Sequence, residues 1–320
     1  MGEQYLRNVR VEIEGGKTFN YDAEENGGQG LRIRFETQQK NTSTPNVANI
    51  LITNLTDAST QPAFHRGATV TLSAGYAQGI QTLFKGQIKQ SRNMREDWTD
   101  KILNILCVDS GDARNYAVVS KTLAAGHTHM DRAQVAINAL KKLGVSEGYI
   151  AKDALSKVKF PRGFAAFGNA KDLLREIAFA TQTTVSIQNG KVQILENSKG
   201  LPGGTIVLNS RTGLVGLPEQ TIQGIEGRCL LNGSIRPGTL IQLDEKSILR
   251  GAYDPSYLGD AKNSTLPQIA TDGIYKVWVV SHQGDTRGNE FFTSFICLRG
   301  NDVSIPLSQQ GYYIPSGNGQ

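Results

Sequence analysis

At 320 residues, with 38% hydrophobic and 20% charged side chains, the chain is long enough for about two domains, each with a core of its own. No apolar run reaches the roughly 18 to 20 residues of a membrane span, and the opening MGEQYLRNVR has no apolar stretch of a secretory signal. A soluble chain made in a cytoplasm is the expectation.

The formal net charge of +5 is unevenly spread. Residues 1–110 carry 12 Lys or Arg against 12 Asp or Glu, residues 111–204 carry 13 against 7, and residues 205–320 carry 9 against 10. The basic excess therefore belongs to the middle segment. A nucleic-acid-binding surface needs basic residues interleaved with aromatics. Lys141, Lys142, Lys152, Lys157, Lys159 and Arg162 have only Tyr149, Phe160 and Phe164 near them in sequence, so a solvated face is expected. Cys107, Cys229 and Cys297 lie in strand-like apolar runs, where they read as small buried side chains rather than as a disulfide framework or metal site.

In chain order, Val9, Val11 and Ile13 alternate with polar residues, and Gly15-Gly16 turns the chain. Leu31, Ile33 and Phe35 alternate in the same way, predicting a half-buried antiparallel strand that Thr42 to Pro45 breaks. The run Ala48 to Leu72 (ANILITNL, a loop, RGATVTL) and Phe84 to Ile88 follow. A polar turn from Asn93 to Asp97 and a long strand from Trp98 to Val108 complete a compact β unit.

The period changes after Asp109. Thr128 and Asp131 form a capping-box start for a helix with Ala133, Ala136, Ile137, Leu140 and Leu143 on its apolar stripe, and Gly144 stops it. Asn169 and Asp172 open a second helix, with Leu173, Leu174, Ile177, Ala178 and Ala180 as its buried face. Asn189-Gly190 between the alternating runs Thr183 to Gln188 and Lys191 to Glu196 predicts a type I′ hairpin, which needs positive φ at both central residues. Gly200 to Gly204 reads as a hinge out of this α/β segment.

Beyond it, Gly224 to Leu243 repeats the plan of Ala48 to Leu72: a short apolar run ending near an Asn, a polar loop, then a glycine and an alternating strand. Thr271 to Val277 answers Phe84 to Ile88, a polar turn from Gln283 to Asn289 answers the first turn, and Glu290 to Leu298 ends, like Trp98 to Val108, near a cysteine. A duplicated β unit is implied. Gly251 to Pro267, with Tyr253 and Tyr257, reads as a long interaction loop. The end of the chain, with Tyr312, Tyr313 and Ile314, reads as an extended tail.

A search for chemistry finds little. There is no nucleophile elbow, P-loop or dinucleotide fingerprint, and Gly27 to Gly30 reads as a turn. Glu96, Asp97 and Asp100 read as a solvated hairpin tip rather than a glycosidase pair. His127 and His129 are the weak metal candidates, because an HxH on a strand presents both imidazoles on one side. No third ligand is placed by spacing, and neither catalytic residue nor cofactor is expected. The Asn-x-Ser/Thr matches at Asn41, Asn54 and Asn263 read as chance. A carbohydrate-binding adhesin or depolymerase is the alternative, with Trp98, Trp278, Tyr253 and Tyr257 as sugar-stacking candidates, although both tryptophans are expected within strands and Trp278 in a core.

Taken in order, Phe164 to Ala170 with its helix, Asn189 to Val192, Arg211 to Pro218, Cys229 to Asn232 and Ile235 to Gly238 resemble the baseplate hub proteins of long-tailed bacteriophages. That group includes Mu-like hub proteins and the hub half of type VI secretion spikes. The resemblance spans roughly residues 30–300. It implies a mainly β protein with two similar split β-barrel (tube) domains, at 1–110 and 205–300, an inserted small α/β domain at 111–204, and an extended tail at 301–320. It also implies a homotrimer forming a pseudo-sixfold ring in the virion. The partners it implies are the tail tube protein, a tail tip or spike protein, surrounding baseplate proteins touching the insert, and the tape-measure protein. DNA would pass through without specific binding, which the near-neutral β units suit.

Overall fold

The computed structural model describes residues 6–16, 18–25, 30–61, 65–221, 223–250 and 269–299. The Gly251 to Pro267 loop with Tyr253 and Tyr257, the tail with Tyr312, Tyr313 and Ile314, Asn263, and most of the Gly27 to Gly30 turn lie outside the described residues. The protein is mainly β, with its helices concentrated in the middle third.

The first third supplies β1 (Arg7–Ile13), β2 (Thr18–Asp22), β3 (Ile33–Lys40), β4 (Val47–Thr53), the short helix α1 (Asp57–Thr60), β5 (Thr69–Tyr76), β6 (Gly79–Arg95) and β7 (Lys101–Val108). Alternation in β1 and β3 puts Val9, Val11, Ile13, Ile33 and Phe35 into one core, as a period of two on a half-buried sheet requires. The middle third is α2 (Gly111–Tyr116), β8 (Val118–Leu123), α3 (His129–Lys141), β9 (Ser146–Ile150), α4 (Lys152–Leu155), β10 (Phe164–Asn169), α5 (Ala170–Thr181), β11 (Thr183–Gln188) and β12 (Lys191–Glu196). The last third gives β13 (Ile206–Leu208), β14 (Leu214–Thr221), β15 (Gly224–Leu230), β16 (Leu240–Leu243), β17 (Ile274–Asp285) and β18 (Phe291–Arg299).

Among the described residues, thirteen strands form one sheet, with β14-β15-β18-β17-β3-β4-β7-β6-β5-β1-β2 as its path and β16 pairing β17 and β13. Within that sheet the order β3-β4-β7-β6-β5 recurs as β14-β15-β18-β17-β16. The register recurs too. Ile88 opposes Cys107 before β6 bulges, and Val277 opposes Cys297 before β17 bulges. Val70 opposes Gly86 where Ile241 opposes Tyr275. Bulges bend a strand and raise its twist, so the two long strands bend at the same point of the repeat. All three cysteines are free and buried, as the apolar runs predicted. Burial pushes the Cys107 and Cys229 thiols up to about 12, and that of Cys297 well above its ordinary value.

Three clusters of buried apolar residues follow the three segments, but the first also takes in Leu231 and Phe291 from the last third. In the middle segment the Thr128 hydroxyl accepts from Asp131 N while the Asp131 carboxylate accepts from Thr128 N at 2.7 Å, the predicted capping box. Ala133, Ala136, Ile137 and Leu140 are buried on α3, and Leu174, Ile177 and Ala178 on α5. Leu143 and Ala180, expected on those stripes, are exposed: Leu143 falls past the end of α3, and Ala180 lies on the far side of the last turn of α5. The Asn189-Gly190 turn has φ of 52° and 76°, which is the type I′ signature.

Two further expectations are corrected. β6 continues to Arg95, so the hairpin tip is residues 96–100 rather than Asn93 to Asp97, with Glu96 N donating to Asp100 O at 3.0 Å. Trp98 therefore stands in the tip, not in a strand. In the Gly200 to Gly204 stretch, Gly200 is packed, since a Cβ there would lie 2.4 Å from Leu240 Cγ, and Leu201 N donates to Gly238 O at 2.8 Å, whereas a Cβ at Gly203 or Gly204 would meet nothing within 4 Å.

Candidate assembly interface

The sheet is continuous because β17 crosses from its own unit to the other. Its first residues pair β16, and after the bulge Val279 to Asp285 pair β3 from Lys40 to Arg34. At this seam a Cβ on Gly284 would meet Phe35 Cζ at 2.4 Å, so the Phe35 ring lies over bare backbone. Phe35 meets Phe291 edge-on at 6.2 Å, and Phe291 meets Tyr76 at 5.3 Å. The Tyr76 hydroxyl accepts from Leu231 N at 3.1 Å, and burial pushes this phenol up to about 12.

Arginines from the first third clasp the end of β17. Arg32 donates through Nη2 to Asp285 Oδ2 at 2.7 Å and through Nε to the same carboxylate at 3.2 Å. Arg7 donates to the carbonyls of Asp285 at 2.8 Å, of Asn289 at 3.3 Å, and of Gly288. Burial alone would raise the Asp285 pKa, yet the bonds from Arg32 and from backbone N–H groups hold it below its ordinary value. These partners are more than 250 residues apart in sequence, and no local signal marks them.

Inside the seam, His282 is buried. Its Nδ1 lies 2.9 Å from Thr293 Oγ1, and its backbone N–H donates to Thr37 Oγ1. Burial, with Arg236 adding to it, lowers the imidazole pKa from 6.5 to about 3. Between those values the unfolded chain holds a proton that the folded chain excludes. This contribution to stability is complete above pH 6.5 and is lost as pH falls, at up to about 1.4 kcal/mol per pH unit. Denaturant unfolding at pH 7 and pH 5 should show that slope, and His282→Gln should flatten it by one proton.

The middle segment is fastened to the first unit through its hairpin. Gln188 Nε2 donates to Lys40 O at 2.8 Å, Asn46 Nδ2 donates to Ile187 O at 2.9 Å, and Asn189 Oδ1 accepts from Lys85 N at 3.0 Å. Asp109, fully buried, accepts from Gly190 N at 3.0 Å, and burial pushes its carboxyl up to about 6. On the other side, Lys276 is buried and donates to Glu196 O at 3.4 Å and to Asn197 O. The turn recognised in the sequence is thus an anchor.

His127 and His129 flank Thr128 at the start of α3, but they build an aromatic stack. His127 Nε2 accepts from Arg132 Nε at 2.9 Å and its Nδ1 lies 2.8 Å from Ala124 O, so both ring nitrogens are engaged. The ring stacks on Phe160 at 5.1 Å, and the Arg132 guanidinium sits 3.9 Å from both Phe160 and Phe164. His129 meets Phe160 edge-on, and burial lowers its pKa. Among the described residues, no group of three His, Cys, Asp or Glu side chains is arranged to hold a metal ion. Phe160 and Phe164, some thirty residues from the histidines, were unreadable as partners from spacing.

Of the sugar-stacking candidates, Trp278 is 1% exposed and Trp98 97% exposed. Glu96 is paired with Arg34 at 2.8 Å. On the middle segment, Phe167 and Phe179 are 86% and 87% exposed and line an apolar groove with Phe164, Leu173, Val185 and Trp278.

No protein-family model matches the chain, and no curated protein matches it. Solved structures do. A 43 kDa tail protein of prophage MuSo2 from Shewanella oneidensis is similar at a TM-score of 0.59 and 10% identity, covering 94% of this chain and 99% of its own. A tail protein from Neisseria meningitidis MC58 is similar at 0.57 and 10% identity, covering 93% and 98%. An Escherichia coli type VI secretion component, described as structurally similar to the T4 tail proteins gp27 and gp5, is similar at 0.53 and 11% identity, covering 92% and 80%. Across nearly its whole length, this chain has the fold of bacteriophage tail proteins and of a type VI secretion component.

Proposed function

We propose that the protein is the hub of a phage tail baseplate, a homotrimer in which three chains contribute six similar β units to one ring. The observation that carries this reading is the in-register repeat of a five-strand ladder within one chain. A threefold assembly of such chains offers sixfold-like geometry to a tail tube on one face and threefold geometry to a tip or spike on the other. The two tube-type domains are 1–110 and 205–300, with 111–204 inserted outside the ring and 301–320 as a tail. The role is assembly rather than catalysis, in the virion, with the ring made in the host cytoplasm and its lumen left open for the genome or the end of the tape-measure protein. The exposed Phe167 and Phe179 groove faces the surrounding baseplate proteins.

Electron microscopy of the purified chain tests this. Class averages should show rings with an open centre and threefold symmetry, on which tail tube protein grows from one face. Compact particles without a lumen would refute the hub.

A further inference from the structure

The repeat is asymmetric at its long strands. Past its bulge, β17 is covered by β3. Residues Gln90 to Arg95 of β6, at the corresponding register, pair β7 on one edge and, among the described residues, no strand on the other. The side chains match this difference: Val279 to Asp285 are buried or half-buried, whereas Gln90 and Arg92 to Arg95 are exposed. The register of the second unit also assigns β3 a counterpart, because Glu36 opposes Asn49 on β4 where Glu219 opposes Glu226 on β15. That counterpart, β14, ends the sheet path and exposes Val215 and Leu217.

We propose that the free edge of β6 pairs with β14 of a second copy of this chain, repeating between chains the β17–β3 seam made within one. A bare strand edge is a template for another strand. Among the described residues no strand covers either edge, whereas their in-chain equivalents β17 and β3 cover each other. The contact is head-to-tail, so it generates a ring when the rotation closes. Each unit then extends its long strand onto the next unit, alternately within and between chains. This inference rests on the hub reading and names the strands that build it.

The register can be carried across residue by residue. Gln283 opposes Glu36 at the seam, and their side chains touch, Gln283 Nε2 donating to Glu36 Oε1 at 3.3 Å. Their equivalents are Met94 and Glu219, both exposed. On β14, among the described residues, the place of the incoming strand is held by Leu249, whose N–H donates to Pro218 O at 2.8 Å and whose carbonyl accepts from Gln220 N at 2.9 Å. The arriving β6 displaces this one-residue bridge. Trp98 stands at the tip that the pairing carries onto the neighbour, where the equivalent tip of β17 and β18 is gripped by Arg7.

The test is the double variant Met94→Cys, Glu219→Cys in the full chain, oxidised and run on a non-reducing gel beside each single variant. The native cysteines are buried, so background linkage is low. The expected result is a ladder ending at three linked chains, absent from both single variants, together with at least tenfold weaker self-association for Trp98→Ala. A trimer by light scattering that yields no linked chains overturns this pairing and leaves the hub standing. A monomer at every concentration, with no linkage, overturns both.

Discussion

Ile241→Asp is expected to abolish folding. Ile241 is wholly buried in the core of the last third, on the short strand β16 between β13 and β17. Its cross-strand neighbours are Ile206 and Tyr275, and the cluster around it holds no cationic side chain to pair with a carboxylate. An unpaired buried charge, with the lost packing, costs more than about 4 kcal/mol, much of the roughly 5 to 15 kcal/mol that a domain of this kind has to lose. Circular dichroism should show no cooperative melting transition. Leu240→Asp, at a half-buried neighbour, should act in the same direction with a smaller loss, and a native-like melt for Ile241→Asp would contradict the layout of the second unit.

Gly284→Leu should break the seam. The position has no room for a side chain, since its Cβ would fall 2.4 Å from Phe35 Cζ and 3.0 Å from Phe291 Cδ2. Phe35 is buried in the first core and Phe291 bridges it to Tyr76, so neither ring can swing aside without opening that core. Overpacking of this severity costs about 3 kcal/mol or more. The expected outcome is a melting temperature lowered by several degrees and a transition that splits in two, because β17–β3 is the only strand pairing between the units among the described residues. An unchanged melt would mean that the two units are not held together here.

Features set by neighbours in sequence are legible from the sequence alone. Alternation in β1 and β3, the capping box at Thr128, and the positive φ at Asn189 and Gly190 all stand where local chemistry put them. The repeat is legible as order and spacing, and the strands share their register on either side of the bulges in β6 and β17. What failed was set by partners far away. The run WTDKIL alternates like a strand, yet Trp98 is lifted into a turn because β6 extends to Arg95 and moves the reversal along the chain. Gly200, at the start of the Gly200 to Gly204 stretch, packs on Leu240, a contact that composition does not show. The Arg32 to Asp285 clasp and the Arg132 stack join residues that no period links. The hairpin at Asn189 was recognised by its turn, while its use as an anchor depended on Lys40, Lys85 and Asp109, which sequence alone could not bring to it.

The central claim, that this chain is a ring-forming hub, is tested most directly by the solution mass of the purified full-length protein by light scattering. The account predicts about three times 34.7 kDa. A single mass of 34.7 kDa at every concentration up to the solubility limit would contradict it.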